Sequence, residues 1–111
     1  MSLDVSLKDP TATYDTEYLY DANITHNLGT MADKAGIYYA LWRPDEKGWK
    51  LAKDITPILE KGLADLKARP AYFQKFNAEN GWGLYENFVP FVEKYLEACK
   101  EYPEAVIAVS R

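Results

Sequence analysis

The chain has 111 residues, 48% hydrophobic, 14% aromatic and 27% charged, with a net charge of −4. That is enough for one hydrophobic core over residues 1–111 and excludes a disordered or fibrous composition. No apolar run approaches the roughly 20 residues that cross a bilayer, and no charged-then-hydrophobic leader opens the chain, so the sequence predicts a cytoplasmic protein with no membrane contact.

Leu3-Asp4-Val5-Ser6-Leu7 alternates apolar and polar residues, the pattern of a half-buried strand. Met1-Ser2-Leu3 also reads as an expression leader and receives no functional weight. Lys8 to Thr11 breaks the strand, and Tyr14 to Tyr20, with Tyr14, Tyr18 and Tyr20 on one parity, predicts its hairpin return. From Thr25, a good N-cap, Leu28, Met31, Ala32 and Ala35 recur at helical spacing up to Gly36. Gly29 inside that run costs about 1 kcal/mol against alanine, which suggests a close approach there. Ile37 to Trp42 predicts a helical turn that stops before Pro44.

The best-supported helix begins near Asp54 or Thr56, with Pro57 in its first turn and Ile55, Ile58, Leu59, Leu63 and Leu66 as its stripe. Pro70 then opens a short turn carrying Tyr72, Phe73 and Phe76. Residues 77–83 are a turn by composition. Tyr85, Phe88, Val89, Val92, Leu96 and Cys99 mark a long helix to about Glu101, and Pro90 leaves two options: a late start capped by Asn87, or a kink. Ala105 to Ser110 is β-branched and continuous, so it is expected as the middle or inner edge of the sheet. The expected class is α+β: about three main helices on a small two- or three-stranded sheet formed by the chain ends.

Two segments concentrate polar or hinge chemistry. Asn23-Ile24-Thr25-His26-Asn27-Leu28 gathers two amides, a hydroxyl and the only histidine at a helix mouth. His26 reads either as a general base or as a hydrogen-bonding group of the helix entrance, and the second is favoured for want of a catalytic partner. In Asn80-Gly81-Trp82-Gly83, glycines flank an indole that either meets a ligand or plugs the core. The ligand-binding candidates are therefore Asn23, Thr25, His26, Asn27, Asn80 and Trp82. Trp42 and Trp49, flanking Arg43-Pro44, suggest a further aromatic groove.

Other chemistry is weak. Lys47, Lys50, Lys53, Lys61 and Lys67 are interleaved with acids between acidic flanks, which opposes nucleic-acid binding. The acid pairs Glu79 with Glu86 and Glu93 with Glu97 read as solvated surface, and Cys99 reads as an inert core thiol. With one cysteine and one histidine and no phosphate loop or nucleophile elbow, no catalytic residue, metal or cofactor is assigned.

The order Asn23-Ile24-Thr25-His26-Asn27, Met31, Asn80-Gly81-Trp82-Gly83, Cys99, Pro103 and a terminal strand resembles a family of small uncharacterised proteins from bacteria and their phages. The resemblance covers roughly residues 20–111 and implies a stand-alone intracellular domain without an assigned reaction. Its members carry an aromatic where this chain has Ile24. Two readings stay open: a non-enzymatic interaction module whose partner is another protein, and a small-molecule site, catalytic or not, in which the two motifs share one cleft.

Overall fold

The computed structural model describes residues 2–11, 18–78, 81 and 83–111. Leu3, Val5 and Leu7 of strand β1 (Ser2–Lys8) are fully buried, each contributing roughly 1.5–3 kcal/mol through burial. Their alternation is what makes β1 a central strand. Strand β2 (Tyr18–Thr25) pairs with it on one side and strand β3 (Val106–Ser110) on the other, both antiparallel, in the order β2-β1-β3. The register sets Leu3 against Ile24, Val5 against Ala22 and Val109, and Leu7 against Tyr20 and Ile107. One face is thereby apolar; the opposite face carries Asp4, Ser6, Asp21 and Asn23.

Two strand expectations are refined. The return strand runs to Thr25, so it delivers the polar segment directly, while the Tyr14 end of the expected strand lies outside the described residues. The terminal strand takes the edge and not the middle among its two expected places, and none of its residues is fully buried. The centre belongs to β1 because both flanking segments reach it. The start of the β3 edge is itself covered: Ile107 N–H donates to Lys50 O at 2.9 Å, and Leu51 bridges Val106.

A 3-10 turn, His26–Leu28, leads into helix α1 (Gly29–Lys34), which ends where Gly36 takes φ 77°. Helix α2 (Tyr38–Trp42) follows and stops before Pro44, as its sequence implies. Helix α3 (Ala52–Ala68) begins about a turn earlier than expected. Asp54 is its third residue and accepts from Lys50 N–H at 3.1 Å and Leu51 N–H at 3.0 Å, bonds that hold its carboxyl below the usual range, Leu51's being the stronger cause. Ala52 and Lys53 N–H donate to Ala105 O at 2.9 Å and Pro103 O at 3.0 Å. Pro57 consequently falls in the second turn. Helix α4 (Pro70–Gln74) buries Phe73. Helix α5 (Tyr85–Glu101) starts where Asn77 Oδ1 accepts from Tyr85 N–H at 2.7 Å, so Asn87 is its third residue and not its cap. Helix α5 packs against α3 and β2, closing the core over Phe88, Val92, Tyr95 and Cys99.

Glycine has opposite meanings in two of these helices. At Gly29 an added Cβ would stand 3.8 Å from Tyr38, an ordinary contact, so the expected close approach is absent. At Gly62 it would stand 2.2 Å from the Ile37 methyl and 3.1 Å from Ala35 O, so α3 lies too close to the buried Ile37 for any side chain. Gly29→Ala should stabilise the protein by up to about 1 kcal/mol through helix propensity. Gly62→Ala should destabilise it by about 1–3 kcal/mol through overpacking. Urea unfolding of both variants checks the contrast; equal signs would contradict it.

Tyr95 is fully buried and stacks on Tyr20 with ring centroids 6.0 Å apart, yet among the described residues its hydroxyl has no hydrogen-bond partner. Burial also raises its pKa well above the ordinary tyrosine value. Because an unsatisfied buried hydroxyl costs about 1–3 kcal/mol, Tyr95→Phe should raise the urea midpoint by the equivalent of about 1 kcal/mol. A lower midpoint would reveal a partner for the oxygen.

Candidate functional site

The cleft of interest forms where β2 turns into the first helical segment. Register places Ser2 opposite Thr25 and Asp4 opposite Asn23. Thr25 is still extended, at φ −70° and ψ 144°, and its hydroxyl oxygen accepts from Asn27 N–H at 3.4 Å. It is therefore the N-cap that the sequence predicts. Ile24 and Leu28 are buried on either side of the turn, so Asn23, Thr25, His26 and Asn27 are fixed between two apolar anchors.

The second wall is the loop before α5. Ala78 N–H donates to Gly83 O at 3.0 Å and Gly81 N–H to Ala78 O at 3.1 Å, closing a turn with positive φ at Gly81 (79°) and Gly83 (126°). Gly83 is buried, and a Cβ on it would stand 2.9 Å from Asn27 Cβ and 3.5 Å from Thr25 Cγ2. Only glycine permits both the backbone angle and the contact. The two polar segments thus meet, around a cleft of about 850 Å³.

Of the six residues singled out in the sequence, Asn23, Thr25, His26 and Asn27 line this cleft. Asn80 and Trp82 lie outside the described residues, although Gly81 and Gly83 beside them line it. Asn23 is exposed and donates from Nδ2 to Asp4 Oδ1 across the strand pair. Two further lining residues, Ser2 and Asn87, escaped sequence reasoning. Ser2 lies in a segment to which the sequence gives no functional weight, and Asn87 reads as one possible helix cap; only the strand register and the start of α5 at Tyr85 bring them here.

Of the two roles open to His26, the structure shows hydrogen bonding at the helix entrance. Trp42 Nε1–H, which can only donate, lies 3.4 Å from His26 Nδ1, and His26 Nε2 lies 2.8 Å from Ser2 O, which can only accept. The partners fix the roles of the two nitrogens in this arrangement: Nδ1 accepts from Trp42 and Nε2 donates to β1. Both nitrogens are engaged, and the imidazole meets the Trp42 indole edge-on at 6.2 Å. His26 ties β1, the helix entrance and α2 together, and no nitrogen remains for proton abstraction in this arrangement.

Trp42 is buried and stacked on Tyr38 at 5.4 Å, so it does not line an aromatic groove with Trp49. Glu93 pairs with Lys67 at 3.4 Å on the surface. Cys99 is buried, and burial pushes its thiol up to about 12, which removes the thiolate on which cysteine reactivity depends. Among the described residues no His, Cys, Asp and Glu cluster has a metal-holding arrangement, and no helix is long and apolar enough to cross a membrane.

His26→Ala should cost about 2–3 kcal/mol in urea unfolding, because it removes two hydrogen bonds and leaves the buried Trp42 N–H unpaired. A loss below about 0.5 kcal/mol would show that the imidazole is not a structural tie. The chain matches no protein-family model, and no curated protein or solved structure matches it either.

Proposed function

We propose that this protein is a non-enzymatic binding module that takes a small, uncharged, hydrogen-bonding ligand in the cleft between the Asn23–Asn27 segment and the Gly81–Gly83 turn. The single observation that carries the reading is the convergence of those two segments on one concavity. Its described lining supplies the side chains of Ser2, Asn23, Thr25, Asn27 and Asn87, amides and hydroxyls that each offer donors and acceptors, and no Asp, Glu, Lys or Arg. Such a surface suits a neutral polyol or a nucleoside base better than an ion. A catalytic version is disfavoured because the one imidazole is committed to Trp42 and Ser2.

The reading of the chain as a docking partner for another protein has a narrower base: Tyr18 and Tyr39 are exposed large side chains, but they sit on separate elements. A bacterial or phage accessory factor could use either mode.

Thermal unfolding of the full chain against a panel of monosaccharides and nucleosides tests the first reading. At least one compound should raise Tm saturably. Asn27→Ala and Asn87→Ala should each weaken its apparent affinity about tenfold, near 1.4 kcal/mol. If no compound shifts Tm, or if both variants bind as the parent does, the cleft is not a ligand site.

A further inference from the structure

A second concavity lies at the opposite edge of the sheet. Ile107 and Val109 share the apolar face with Leu7 and Val5, but they stay half-buried where those two are fully buried. Over them stand Pro44 and the half-buried indole of Trp49, leaving a cleft of about 340 Å³. That volume lies at the small end of the range for organic ligands. Its walls are apolar and its rim is ionic.

The rim holds two cations and one acid: Lys50, Arg111 and Asp45. Arg111 is oriented by the main chain, since its Nη1 donates to Trp42 O at 2.8 Å. Asp45 Oδ1 approaches the same nitrogen only to 3.5 Å, from a side chain 68% exposed. A carboxylate is thus already loosely placed at the guanidinium. Lys50 has no ion pair among the described residues.

We propose that this cleft binds a small organic carboxylate bearing an aryl or branched aliphatic group. The apolar group fills the slot between Trp49 and the Ile107 and Val109 side chains, where it removes apolar surface from water and can stack on the indole. The carboxylate takes the place of Asp45 at Arg111, with Lys50 as the second cation; a charge-assisted bond to a preoriented guanidinium is the stronger kind. An uncharged ring would gain only the first contribution, and a simple anion only the second.

The probe is phenylacetate, titrated into the 15N-labelled full chain and followed by 1H–15N spectra. Saturable shifts are expected at the Trp49 indole N–H and the Val109 and Arg111 amides. Phenylacetamide, which keeps the ring and lacks the charge, should bind about fivefold more weakly or less, as should phenylacetate to Arg111→Gln. Because that variant also loses the bond to Trp42 O, Asp45→Asn provides an independent arm: removing the competing carboxylate should tighten phenylacetate about two- to fivefold. Absence of saturable shifts, equal affinity for acid and amide, unchanged binding by Asp45→Asn, or shifts confined to the Asn23–Asn27 cleft would each overturn the proposal.

Discussion

The structure depends on β1 being paired along both edges while its Leu3, Val5 and Leu7 side chains are buried on one face. A shift of β1 by one residue would send Asp4 and Ser6 into the core, so the register is held by burial itself. Both clefts inherit their geometry from it. Pairing on one edge puts Ser2 against Thr25, and pairing on the other sets Val109 against Val5.

Much of this architecture is legible in residues with a clear period. The alternation in β1, the stripe in α3 and the Thr25 cap all appear where expected, because local propensity and tertiary burial agree there. Boundaries shift where a distant group intervenes. Helix α3 starts early because two carbonyls from residues 103–105 accept from its first N–H groups while Asp54 holds the two N–H groups just ahead of it, and α5 takes the longer of its two options because Asn77 caps it from eight residues away. The place of the terminal strand in the sheet is open for another reason: β-branched continuity signals a strand without saying whether it has one neighbour or two.

The candidate site was half legible. Clustering of amides identified the Asn23–Asn27 segment, and the glycine pattern identified the loop opposite, but their contact depends on the fold of the 53 residues between Asn27 and Gly81. The sequence favours a hydrogen-bonding role for His26, but no spacing rule could name its partners. Its two partners are a backbone oxygen at residue 2 and an indole on α2, neither of which belongs to any catalytic pattern. A lone histidine without a catalytic partner reads as a hydrogen-bonding group in sequence; in space it is a cross-brace between β1 and α2.

The hydrogen bonds from Ala52 and Lys53 to the carbonyls of residues 103–105 have a consequence for biosynthesis. The opening of α3 and the second edge of β1 can be completed only after residues 103–110 have been made and have left the ribosome. Until then a growing chain holds a hairpin with one open edge and helices without a finished floor. Final closure is therefore a late, long-range event, the kind of ordering that slows folding relative to a helical bundle of the same size.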